Sequence, residues 1–321
     1  MRSAEIRAGA PGREIAATIH LPSEGASARP VIVFAAPGGG YGRRYFDLRL
    51  DARPGYSQAE HHTAAGLVVV AYDHLGVGDS SLQGLEDLTI EQIADANHVG
   101  VVDILARLRA GAAVAGLGPI EPAAVVGAGH SMGGGVSLIM QARRRTFDAY
   151  LSLGWSAIQS VLPQRSHEIQ AAVKASSATL GRLSPASDLL TAQQIRRDFD
   201  YRYPFYWEDV PEDLVAADLA GGFPARATTP PWGSRTMPRC VAAMRAPGYV
   251  ATEAAAIDVP VLMAFGERDV SESPGAEPAA FRRAKDVTVF VARRMAHMHN
   301  FAGTRGLLWD RIVGWCRGLK P

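Results

Sequence analysis

Residues Pro122 to Gly135 constrain this chain more than any other stretch. An apolar run, Ala123-Ala124-Val125-Val126-Gly127-Ala128, ends in Gly129-His130-Ser131-Met132-Gly133, and an amphipathic segment from Val136 to Arg144 follows at once. The run reads as a buried strand and the spacing after it as a helix. A strand that turns into a helix so abruptly leaves one side chain, Ser131, at the apex. Small residues two positions to either side let strand and helix pass closely. A serine hydroxyl at such an apex is a candidate nucleophile, and the strand-turn-helix setting separates the pattern from a chance Gly-x-Ser-x-Gly match.

The same alternation runs through most of the chain. Glu14 to Leu21 and Pro30 to Ala36 read as strands, and the glycine-rich loop Pro37-Gly38-Gly39-Gly40 follows the second. Tyr56 to Ala65 reads as a helix ended by Gly66. Leu67 to Tyr72 is a further buried strand, then comes the turn Asp73 to Ser80, and a long helix spans about Ile90 to Leu108. Asp148 to Gly154 and Val259 to Phe265 read as strands, Pro278 to Ala284 as a short helix, Val287 to Ala292 as a strand and Leu307 to Leu319 as a closing helix. Apolar runs rather than period-two patterns predict a mostly parallel, doubly wound α/β sheet covered on both faces. In such sheets chemistry gathers at the carboxyl ends of strands. Ser131, Asp269 and His297 each fall just beyond a predicted strand, so all three can share one rim.

At 321 residues the chain has room for one large α/β domain with an insertion, or for two domains. A net charge of +1 argues against a phosphate-backbone ligand, so nucleic acid is not an expected partner. Two cysteines, Cys240 and Cys316, are too few for a disulfide scaffold and read as small buried apolar side chains. No stretch reaches the ~20 apolar residues that cross a bilayer, and Met1 to Pro11 lacks a signal-peptide core. The expectation is a cytoplasmic protein without a membrane partner.

Five motifs in register resemble the α/β-hydrolase family over essentially the whole chain. They are the loop Pro37 to Gly40, the Asp-x-x-Gly-x-Gly-x-Ser turn from Asp73 to Ser80, and Gly129-His130-Ser131-Met132-Gly133. Gly266-Glu267-Arg268-Asp269 and a histidine in the last loop before the final helix complete the set. The order Ser, Asp, His is also that family's order. One departure is Pro37-Gly38, where the family often has His-Gly. The resemblance implies a core of residues 1–156 and 239–321 with a mainly helical cap, 157–238, inserted late in the chain.

It also implies a reaction. His297 would take the Ser131 proton and Asp269 would hold the other ring nitrogen. The backbone amides of Gly39 and Met132 would receive the oxyanion. The expected function is a cofactor-free, metal-free serine hydrolase acting on a small-molecule carboxylic ester, thioester or lactone. An acyltransferase using the same acyl-enzyme and a non-catalytic ligand receptor are the alternatives. His299 rivals His297 as base and Glu267 rivals Asp269 as acid. His130, His61 and His62 read as structural, with His61 and His62 surface and half-buried residues.

From about Ala157 to Pro238 the strand-helix rhythm stops. Ile158 to Leu180 and Thr191 to Asp198 have helical spacing, and aromatic residues crowd together from Phe199 to Trp207. Tyr41, Trp155, Tyr206 and Trp207 are candidate substrate-binding residues for an apolar acyl or aryl pocket. Arg196, Arg197 and Arg202 are candidates to read a substrate carboxylate. A homodimer through the cap or an edge strand stays open.

Overall fold

The computed structural model describes residues 1–23, 29–50, 53–180, 189–190 and 201–319. Its main strands are β1 (Arg2–Ala8), β2 (Ile15–Leu21), β3 (Val31–Ala36), β4 (Val68–Tyr72), β5 (Ala124–His130), β6 (Ala149–Leu153), β9 (Val261–Arg268) and β10 (Val287–Ala296). A two-stranded ribbon, β7 (Leu189–Leu190) with β8 (Met237–Pro238), lies apart from them. The eight form one sheet in the order β1-β2-β4-β3-β5-β6-β9-β10. From β4 to β10 all neighbours are parallel, whereas β1 and β2 pair antiparallel and β2 meets β4 antiparallel.

The unbroken apolar runs follow from burial on both faces. In β3, Ile32, Phe34 and Ala36 join one apolar cluster while Val31, Val33 and Ala35 join the other. Successive side chains of a strand point to opposite faces, so both sets must be apolar. One face is covered by α2 (Ile90–Arg109), α3 (Met132–Arg144) and α7 (Ala251–Ala256), through residues such as Ile93, Ile104, Val136 and Ala254. The other is covered by α1 (Gln58–Ala64) and α8 (Arg305–Gly318), through Ala59, Leu308, Ile312 and Cys316. Helix α2 starts where Thr89 and Gln92 form a capping box, each side chain bonding the other's backbone amide.

Strand β1 has no counterpart in the sequence reading. Its polar, charged sequence RSAEIRA is the composition of an exposed edge, and charges there discourage pairing with another chain. Two further differences lie near the C-terminal strands. Strand β9 runs through Gly266 to Arg268, and β10 continues to Ala296 past a register break after Ala292. Asp269 and His297 therefore follow their strands directly. In place of a helix over Pro278 to Ala284, a 3-10 turn spans Pro274–Ala280 and contains Pro278.

Between β6 and β9 the chain forms α4 (His167–Leu180), α5 (Arg202–Phe205), α6 (Glu212–Leu219) and a 3-10 segment, Arg239–Arg245. The helix expected from Ile158 starts only at His167, because Pro163 cannot donate within a helix interior. Thr191 to Asp198 lies outside the described residues, as do Phe199, Arg196 and Arg197. Among the described residues no helix is long and apolar enough to cross a membrane.

Candidate active site

Ser131 sits between β5 and α3 with φ 51° and ψ −122°, a left-handed conformation that a side chain disfavours. Its surroundings hold it there. Its amide donates to the Leu153 carbonyl at 2.7 Å, tying the apex to β6. A Cβ on Gly129 would lie 2.2 Å from the Gly133 carbonyl carbon, and one on Gly133 would lie 2.3 Å from the Ala36 oxygen. Only glycine at both positions lets β5, α3 and the β3 loop close around the serine.

His297 Nε2 lies 2.9 Å from Ser131 Oγ, and its Nδ1 lies 2.6 Å from Asp269 Oδ1. With Nδ1–H donating to the carboxylate, Nε2 is left to accept from the hydroxyl. The backbone of His297 is fixed at both ends. Its amide donates to the Pro204 carbonyl at 3.1 Å, and its carbonyl accepts from His130 Nε2–H at 2.8 Å. Asp269 accepts four hydrogen bonds: from His297 and the Val270 amide on Oδ1, and from His299 Nε2–H and the Gly266 amide on Oδ2. Burial pushes this carboxyl up, but His297 and His299 outweigh it and hold Asp269 well below the usual carboxylate range.

The rivals separate cleanly. His299 bonds the far oxygen of Asp269 at 2.6 Å, whereas His297 meets the serine. Glu267 is exposed and accepts from the Arg294 amide. Burial, with His297 and His299 nearby, pushes His130 well below the ordinary histidine range, which keeps it neutral. His61 bonds Asp310, whereas His62 is fully buried rather than half-buried.

Gly38 lies against the serine and Gly39 lines the same cavity. A Cβ on Gly38 would lie 3.1 Å from Ser131 Cβ, and one on Gly39 would lie 2.7 Å from Met237 Sδ and 3.9 Å from Met132 Sδ. Neither the Gly39 nor the Met132 amide has a backbone acceptor among the described residues. Met132 opens α3, where amides lack intrahelical partners. Pro37 stands where the family often has a histidine, and His74 supplies support from the neighbouring turn. His74 Nε2–H donates to the Pro37 carbonyl at 3.1 Å, and Asn97 donates to His74 Nδ1 at 2.8 Å.

A cavity of about 150 Å³ opens onto Ser131, His297, Gly39 and Met132. Tyr41, Trp155, Leu162, Tyr201, Phe205, Phe223, Met237, Val241 and Arg245 are among its walls. Of the four candidate binding residues, Tyr41 and Trp155 line it. Tyr206 and Trp207 do not. The Tyr206 hydroxyl turns to Asp218 at 2.6 Å, and Arg268 stacks over the Trp207 ring at 4.7 Å. Arg202 pairs with Glu212 instead of facing the cavity.

Sequence reasoning missed a buried polar hub behind the glycine loop. Asp218 accepts from Tyr41 and Tyr206 hydroxyls, the Trp232 indole and Arg226, and Arg226 also donates to the Gly40 carbonyl at 3.4 Å. Asp218 and Arg226 side chains are both 0% exposed. No local pattern announces such a hub, because its members are scattered from residue 41 to residue 232.

The sequence profile described as "Alpha/beta hydrolase family" matches residues 32–306. Among solved structures, a soluble variant of monoglyceride lipase from Saccharomyces cerevisiae is similar over 100% of this chain and 97% of its own, with a TM-score of 0.66 and 17% identity. A thermophilic esterase from Thermogutta terrifontis is similar over 100% of both chains, with a TM-score of 0.59 and 16% identity. An epoxide hydrolase is similar over 99% of this chain and 100% of its own, with a TM-score of 0.59 and 13% identity. No protein of curated function matches the sequence.

Proposed function

We propose that this chain, which belongs to the alpha/beta hydrolase family, is a serine hydrolase that cleaves a carboxylic ester, thioester or lactone through an acyl-enzyme on Ser131. The observation that carries this reading is the two-bond relay from Ser131 through His297 to Asp269, set beside two uncommitted backbone amides. Similarity to lipases, an esterase and an epoxide hydrolase concerns the fold; the reaction is argued from the site.

As Ser131 Oγ attacks the acyl carbon, its proton passes to His297 Nε2, and Asp269 stabilises the imidazolium that forms. The carbonyl oxygen gains negative charge and is met by the Gly39 and Met132 amides, each worth ~10²–10³ in rate when such donors are lost. His297 then protonates the departing alcohol or thiol. Water, deprotonated by the same imidazole, attacks the acyl carbon and frees Ser131. Nothing in these steps asks for a cofactor. Residues 157–238 act as a cap in this reading. The support is that Ser160, Leu162, Tyr201, Phe205, Phe223 and Met237 from that segment wall the cavity, and that Pro204 holds the His297 amide.

The test is covalent labelling of the folded protein by a fluorophosphonate, with an ester and thioester panel run on the parent and Ser131→Ala. Labelling at Ser131 and a loss on the order of 10⁶ in kcat for the variant are expected. An unlabelled Ser131, or equal turnover by both proteins, would refute the assignment.

A further inference from the structure

We propose that the substrate carries a free carboxylate besides its scissile acyl group, and that Arg245 on the cavity wall is the residue that selects it. The assignment rests on Ser131 marking the reacting end of the cavity.

Arg245 closes the 3-10 segment Arg239–Arg245 and lines the same cavity as Ser131, His297 and Gly39. Among the described residues its guanidinium makes one hydrogen bond, from Nη2–H to the Ser177 hydroxyl at 3.3 Å. No carboxylate among the described residues pairs with it. Its neighbours in the same region behave otherwise: Lys174 pairs with Glu272, Arg202 with Glu212, Arg268 with Glu208 and Arg226 with Asp218. The cavity that Arg245 lines is largely apolar, with Tyr201, Phe205, Val241 and Leu162 among its walls. Burial pulls its pKa below the ordinary arginine value, opposed only by the Tyr201 phenol.

A guanidinium does not discharge in a protein, so it cannot escape this setting by losing a proton. Holding it half-buried without a counter-ion is unfavourable, and an anion entering the cavity relieves that cost in surroundings that screen charge weakly. Five donors lie in a planar fork, one of them engaged by Ser177. The remainder suit the two parallel hydrogen bonds that a carboxylate accepts. A fork and a serine on the lining of one largely apolar cavity fit a substrate with a hydrocarbon spacer between its ester and its acid. Of the arginines that the sequence offered for this role, Arg202 lies among the described residues, and it pairs with Glu212.

The experiment uses monoethyl esters of succinic, glutaric and adipic acids, each matched by the ethyl ester whose distal carboxylate is replaced by a carboxamide. Hydrolysis is followed at pH 7.5, where the distal acid is ionised. For the best spacer, kcat/KM of the acid exceeds that of the amide at least tenfold in the parent. In Arg245→Gln that ratio falls by about 10–100-fold, the range for lost hydrogen bonds to a charged group, while Arg245→Lys retains part of it. Each ratio is taken within one protein, so a change in folded fraction cancels. A second arm measures dissociation constants of the same pairs with Ser131→Ala, with and without Arg245→Gln, and needs no turnover. Ratios near one at every spacer length, or unchanged by Arg245→Gln, overturn the proposal. No hydrolysis by the parent, with the binding preference intact in Ser131→Ala, overturns the nucleophile and leaves the Arg245 assignment standing.

Discussion

Ser131 stores backbone strain that a single pair of variants exposes. Its φ of 51° and ψ of −122° belong to a region glycine occupies freely and other residues reach at a cost of about 1–3 kcal/mol. Ser131→Ala and Ser131→Gly both remove the hydroxyl and its 2.9 Å contact with His297, so that loss is common to both. Alanine keeps the strain and glycine releases it. Glycine also gives the unfolded chain more freedom, which offsets about 0.4–1 kcal/mol. Ser131→Gly is therefore expected to be more stable than Ser131→Ala by about 1–2 kcal/mol, with both inactive on esters. Urea unfolding of the two variants under identical conditions reads the difference from their midpoints and slopes. An alanine variant as stable as the glycine variant would refute the claim that the apex is strained.

Three further outcomes follow from the same geometry. His297→Ala is expected to lose at least ~10³ more kcat than His299→Ala, since only His297 touches the serine; equal losses in steady-state kinetics would contradict the division of labour. Burial pulls His62 down to about 3 and His74 down to about 4. Below about pH 6.5 the unfolded chain therefore binds protons at these rings that the folded protein does not. Stability is full above that pH and falls as pH drops, by about 2 kcal/mol per ring between pH 7 and 5. Denaturant titrations of the parent and His62→Gln should diverge across that interval. Arg226→Met leaves the fully buried Asp218 without its cation, and a loss of about 3–5 kcal/mol in urea unfolding is expected; a change below about 1 kcal/mol would show the pair to be dispensable.

What the sequence made legible was local. The strand and helix flanking Ser131, the buried runs of β3 and β4, and the helices α2 and α8 are each written in consecutive residues, and they fell within a few residues of their expected places. Strand β1 was not legible because an exposed edge carries no apolar pattern. The choice between His297 and His299 was open because both follow the same strand. In space the two differ: the His297 imidazole reaches the serine and the His299 imidazole reaches the far oxygen of Asp269.

The binding wall was least legible, and the reason is physical. Aromatic density between residues 199 and 207 says that something apolar is covered, but not which ring faces a void. Phe205 and Tyr201 face it, whereas Tyr206 is drawn away by Asp218, a carboxylate twelve residues further along the chain. Arg245 poses the sharper case. A lone arginine in a 3-10 segment looks like any surface cation, and its distinction is that no carboxylate among the described residues pairs with it. That property belongs to the packed chain. On the proposed reading it is the kind of feature that separates substrates among proteins sharing one fold, with the relay at Ser131 assigned to bond cleavage and the charge at the cavity wall to which molecule is cleaved.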